Sequence, residues 1–119
     1  MLNLLIDTSN KDHITLTLKK EETLIDRQTI PAKFKQAEVL LVSINKILKK
    51  NKITLNKLTK IKINNIGQSN TSLRIGVVNA NALGYAAKIK IEGMNKSSQK
   101  IILPVYLTQP NITYEKVKT

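Results

Sequence analysis

Ser69-Asn-Thr-Ser-Leu-Arg-Ile-Gly76, followed by Val77-Val-Asn-Ala-Asn-Ala-Leu-Gly-Tyr-Ala-Ala87, is the stretch on which the fold turns. Side-chain oxygens at 69–71 suit the free N–H groups of a first helical turn, and the next proline is Pro104, so the spacing predicts a helix over 71–87. Within it Gly76, Ala80 and Gly84 recur every four residues and form one ridge almost bare of side chains, flanked by Leu73, Val77 and Leu83. A glycine inside a helix costs about 1 kcal/mol relative to alanine. Close approach of another backbone has to compensate, and two readings stand: packing on a strand of the same chain, or on a helix of another subunit.

The chain has 119 residues, 41% of them hydrophobic, which suffices for one compact core and not for two. It has no cysteine, so neither disulfides nor thiolate metal sites contribute, as suits a reducing cytoplasm. The first hydrophobic run, 2–6, stops at Asp7, and no later run approaches the roughly 18 residues of a membrane span. A cytoplasmic protein without signal peptide or membrane segment is expected. The net charge of +12 raises the question of nucleic acid, because clustered cations release counterions from phosphate backbones. Nearly all of it is lysine, with abundant Ile and Asn, the usage an A/T-rich genome imposes on any protein. With Arg27 and Arg74 the only arginines and 3% aromatics, bidentate guanine contacts and stacking platforms are poorly supplied. Sequence-specific base reading is therefore disfavoured, while electrostatic attraction to RNA or an acidic partner stays open.

Taken in order, 2–6 is a continuous apolar run that reads as a strand buried on both faces, and Asp7-Thr-Ser-Asn10 turns the chain. Ile14, Leu16 and Leu18 alternate with polar residues, and 24–30 follows a Lys20-Glu21-Glu22 turn, so three strands pair antiparallel. Over 32–50 the apolar positions Phe34, Ala37, Leu41, Ile44 and Leu48 step by three and four, with Leu40 and Ile47 widening the stripe: a helix. A helical turn at 54–58 capped by Thr54, a strand at 60–64, the 71–87 helix and a strand at 88–93 with Ile89 and Ile91 inward complete the order βββαβαβ. That is the mixed α/β arrangement of a single ribonuclease-H-like or actin-like lobe, one option among several α/β layouts. The domain organisation predicted is a lobe over 1–93, a polar linker over 94–100, and an apolar segment from 101 that packs back on the lobe, with Pro104 confining it to an edge, before a polar tail to 119.

Four stretches carry a resemblance: Leu5-Ile-Asp-Thr-Ser9, Ala37-Glu38 with Leu40-Leu41, Ser69-x-Thr-x-Leu-Arg-Ile-Gly76, and Pro104-Val-Tyr-Leu107. Together they resemble the TsaB (YeaZ) family, dimerisation subunits of the bacterial machinery that makes threonylcarbamoyladenosine in tRNA. The matching motif positions are Asp7, Thr8, Ser9, Glu38, Ser69, Thr71, Leu73, Arg74, Ile75 and Gly76. The chain departs from the family where Ile66-Gly67-Gln68 replaces Gly-Pro-Gly, where Asn70 and Ser72 replace Phe and Gly, and where Gln36-Ala37-Glu38 stands for His-Ser-Glu. The resemblance implies an actin-like (ASKHA) lobe in a shortened form lacking the family's second lobe. Asp7, Thr8 and Ser9 then form one wall of a nucleotide cleft with no opposite wall, so no cofactor is expected. It further implies a non-catalytic subunit that binds TsaD, the holder of the metal, the intermediate and the tRNA. The implied interface is the two-helix face with Leu41, Ile44, Leu48, Gly76, Ala80, Leu83 and Gly84, serving a TsaD-type heterodimer or, in its absence, a homodimer; tRNA is reached through the complex and no membrane is involved.

Other readings compete. Asp7 after a strand suits a metal- or phosphate-site carboxylate, but an Asx-turn is the commoner use of such a residue. His13, the sole histidine, has no matched base or nucleophile nearby in the sequence. Arg74 in the first turns of a helix opposes the dipole and calls for a partner carboxylate, Glu38 or one from another subunit. A ribonuclease-H-like nuclease or resolvase needs carboxylates on neighbouring strands to hold magnesium. Asp7 and Glu38 fit such a set, whereas Asn64 and Asn65 stand where a third is required. A small basic RNA-binding protein explains the charge but not the Leu-Arg-Ile-Gly segment.

Overall fold

The computed structural model describes residues 1–33, 35–67, 71–94, 103 and 105–106. Three strands, β1 (Leu2–Asp7), β2 (His13–Lys20) and β3 (Thr23–Pro31), form an antiparallel meander. Helix α1 (Gln36–Lys50) and a 3-10 turn (Leu55–Lys57) lead to β4 (Lys60–Ile63), and a two-residue strand β5 (Ile66–Gly67) precedes α2 (Thr71–Ala87) and β6 (Lys90–Gly93). The five long strands make one mixed sheet in the order β3-β2-β1-β4-β6, in which β4 runs parallel to β1 and β6 parallel to β4. The βββαβαβ order and the 71–87 helix therefore stand as read. A second, two-stranded sheet, β5 with β7 (Val105–Tyr106), is parallel and separate. Pro104 and the other undescribed residues of the expected linker, closing segment and tail lie outside the described residues, as does Phe34.

Period-two alternation explains the layering. Leu4 and Ile6 on β1, Ile14, Leu16 and Leu18 on β2, and Ile61 and Ile63 on β4 are each at most 1% exposed and point to one face, which α1 and α2 cover. Burying each such side chain contributes about 1.5–3 kcal/mol. The opposite face carries Asn3, Leu5, Thr15, Lys60 and Lys62 and no described helix. This corrects the reading of β1 as buried on both faces: Leu5 keeps partial exposure because the molecule has two layers, not three.

Helix α1 starts four residues later than the apolar stepping predicts. Ala32 is buried ahead of it, its N–H donating to the carbonyl of Asp12 at 2.9 Å, and the Lys35 N–H donates to the Ala32 carbonyl at 2.8 Å in a turn. The helix is also rotated. Its core face is Gln36, Leu40, Ser43, Ile44, Ile47 and Leu48, while Leu41 is 46% exposed. Gln36 can join that face because its amide donates to the Lys11 carbonyl at 2.5 Å. At the far end Asn51 caps the helix by donating to the Ile47 carbonyl at 2.8 Å and to Asp26 on β3 at 3.0 Å. That bond, with Lys50 nearby at 3.4 Å, holds the Asp26 carboxyl below the usual carboxylate range. Thr54 precedes the 3-10 turn as read, but its hydroxyl bonds to Asn56 rather than to backbone.

Candidate functional site

The carboxyl ends of β1 and β4 bring together Asp7, Thr8 and Ser9, with Gly76 of α2 against Thr8. Asp7 Oδ1 accepts from the Ser9 N–H at 2.9 Å, the Ser9 hydroxyl at 2.6 Å and the Asn64 amide at 3.2 Å. Asp7 is thus the Asx-turn residue that closes β1, tied sideways to β4. Thr8 is fully buried and its hydroxyl has no partner among the described residues. Its side chain lies against Gly76, where a Cβ would collide with it.

Asn64 and Asn65, read from sequence only as missing carboxylates, prove to be the clasp of this end. Asn64 Oδ1 accepts from the Ile66 N–H at 3.1 Å. Fully buried Asn65 donates to the Leu103 carbonyl at 2.7 Å and accepts from the Met94 N–H at 3.0 Å. An amide carries donor and acceptor together, so it joins strand ends where an ionised carboxylate, an acceptor only, fails. The adjacent Asn-Asn pair at a strand end was the available signal, since such residues bond backbone at turns.

Between the 10–12 loop and the amino ends of α1 and α2 lies a groove of about 420 Å³ lined by Lys11, Lys35, Gln36, Glu38, Thr71 and Ile75 among others. Glu38 lines this groove. Asp7 lines a different one, of about 410 Å³, on the far face of the sheet with Arg27, Lys62 and Asn64. The two carboxylates grouped for a nuclease site therefore belong to separate cavities. Arg74 is exposed and, among the described residues, makes no ion pair with Glu38 or any other carboxylate. Leu73 is fully buried, and Ser69 lies outside the described residues.

The expected partner face needs correction at five positions. Ile44, Leu48, Gly76, Ala80 and Gly84 are all buried within the chain's own core. A Cβ at Gly84 would strike the Ile91 side chain and come within 3.0 Å of the Ile89 carbonyl. The bare ridge thus lets α2 approach β1 and β6 of its own sheet, and presents nothing outward. What the two helices do present is Leu41 and Val42 from α1 and Val78, Ala82, Tyr85 and Ala86 from α2, with Leu83 partly covered. Val78 is 58% exposed and Tyr85 83%. From Ile75 to Ala87 the helix has no charged residue.

No family model matches the sequence, and no curated protein matches it. Solved structures do. YeaZ from Pseudomonas aeruginosa superposes with a TM-score of 0.67 at 20% identity over 79% of this chain and 44% of that one. A second Pseudomonas aeruginosa structure, of an uncharacterized protein with similarity to peptidase YeaZ, gives 0.64 at 20% identity over 78% and 42%. RuvC of Thermus thermophilus in complex with a Holliday junction substrate gives 0.52 at 11% identity over 78% and 63%. The chain therefore has the ribonuclease-H-like α/β fold of these proteins, and it spans less than half the length of the two YeaZ-type structures. No helix among the described residues is long and apolar enough to cross a membrane.

Proposed function

We propose that this chain is a TsaB (YeaZ)-type subunit without catalytic activity of its own, acting in the cytoplasm. It docks through α1 and α2 onto a TsaD-type protein and supports threonylcarbamoyl transfer to the adenosine beside the tRNA anticodon, pairing with a second copy of itself when that protein is absent. The observation that carries the reading is the uncharged outer face of α2 on a chain of net charge +12. Val78 and Tyr85 stay largely exposed although nothing in the isolated fold needs them there. Exposed apolar surface of this kind, with a tyrosine in it, is what a protein interface requires. Leu41 extends it across the seam to α1. The YeaZ likeness in fold and the Leu73-Arg74-Ile75-Gly76 motif at the start of α2 support the same assignment.

Co-expression with a tagged TsaD-type protein tests it. A stoichiometric complex is expected, and Val78→Lys/Tyr85→Lys should abolish it while the melting temperature of the isolated chain stays within about 2 °C, because neither side chain is in the core. A complex that survives both substitutions would refute docking through this face. The resolvase reading, which the RuvC likeness in fold brings forward, predicts magnesium-dependent cleavage of a four-way DNA junction that is lost in Asp7→Asn. The separation of Asp7 from Glu38 in different cavities speaks against it.

A further inference from the structure

The sheet face turned away from the helices carries an ordered array of cations. Strand register sets Lys19, Asn3, Lys60 and Lys90 side by side in one row and Arg27, Thr17, Leu5 and Lys62 in the next, with Glu92 at its end. Neighbours in a row are about 4.8 Å apart and the rows about 7 Å. Against the five cations stand, among the described residues of this face, only Glu92 and Asp7. Glu92 is shared, receiving Lys60 at 3.2 Å and Lys62 at 3.8 Å, and Asp7 Oδ1 is already taken by its turn and by Asn64. Between Arg27 and Lys62 runs the 410 Å³ groove, walled by the hydroxyl-bearing Thr15, Thr17 and Thr29 and by the Asn64 side chain.

We propose that this face binds the backbone of an RNA strand. Arg27 and Lys62, three strand spacings or about 14 Å apart across the groove, take phosphates of non-adjacent nucleotides, and the threonine hydroxyls that line the groove meet the ribose. Hydroxyl and amide groups both donate and accept, which matches a ribose 2′-OH and gives deoxyribose nothing to bond. No described residue of this face is aromatic, so bases are not stacked and recognition is independent of base sequence. Glu92 acts as a removable cover: its ion pairs are partly solvated and therefore weak, and a phosphate displaces them. An acidic protein would satisfy the cations but leave the hydroxyl row unused. The helices lie on the other side of the sheet, so RNA and a protein partner are held at once.

Fluorescence anisotropy with a labelled single-stranded oligouridine, over a salt series on the full chain, tests this. Arg27→Gln/Lys62→Gln should weaken binding about tenfold and lower the salt slope by about 1.4, since each phosphate contact on a single strand accounts for roughly 0.7. Glu92→Gln should tighten it. Lys46→Gln/Lys49→Gln, which removes the same charge from α1, should change affinity less than about twofold, and Val78→Lys/Tyr85→Lys should not weaken it, which separates this site from the docking face. Equal losses in both double charge variants, no tightening in Glu92→Gln, equal or tighter binding of oligodeoxyuridine, or a preference for polyglutamate over RNA would each overturn the proposal.

Discussion

Gly76 shows how one position decides the seating of a helix. Thr8, directly after β1, has a fully buried side chain, and α2 passes so close over it that only a residue without Cβ fits. Gly76→Ala gains about 1 kcal/mol in helix propensity but overpacks a filled interior, which costs about 1–3 kcal/mol. A net loss of stability is expected in urea denaturation. Thr8→Ala removes the two nearest obstructing atoms, Oγ1 and Cγ2, and with them a hydroxyl that has no partner among the described residues, so Thr8→Ala/Gly76→Ala should recover at least half of that loss. Equal or additive destabilisation in the double variant would show that the contact does not set the helix. Ser9 and Asn64 belong to the same scale: Ser9 was visible in the turn after β1 and Asn64 only as a missing carboxylate, and their common target, Asp7, follows only from strand register.

For the elements, period dominates. Both helices were legible because apolar residues return every three to four positions, and α2 was bounded correctly at 71 and 87. In α1 the stripe was legible but its centre was not. Leu40 is fully buried and Leu41 46% exposed, although the stepping pattern counted Leu41 among the leading positions. Adjacent leucines lie 100° apart on a helix, and the buried one is chosen by where the sheet happens to be. Leu40→Ala should therefore cost about 2–5 kcal/mol in denaturant unfolding, while Leu41→Ala stays within about 0.5 kcal/mol for the isolated chain and weakens the protein complex instead. Comparable losses for the two would contradict the observed rotation of α1.

Across the whole molecule, the sheet has one covered and one open face, and the strand ends are gathered by Asn65. That residue ties Met94, just after β6, to Leu103, just before β7, and so links the small β5–β7 sheet to the main one. Asn65→Ala removes the bond to the Leu103 carbonyl, at about 0.5–1.5 kcal/mol, while the Met94 N–H keeps its bond to the Ile63 carbonyl at 3.1 Å. Hydrogen exchange at Val105 and Tyr106 should accelerate more than at Leu4 or Ile61; uniform acceleration would mean that Asn65 supports the core rather than the junction. The sequence by itself determined where the five long strands and the two helices lie, their order, and the inward residues of β2, β4 and β6, because alternation and helical period are local and survive without knowledge of neighbours. Only the tertiary structure decided that the glycine ridge faces its own sheet, that two asparagines clasp the strand ends, and that lysines from separate strands form rows. Each of these depends on residues tens of positions apart being brought side by side, and no local pattern encodes that distance.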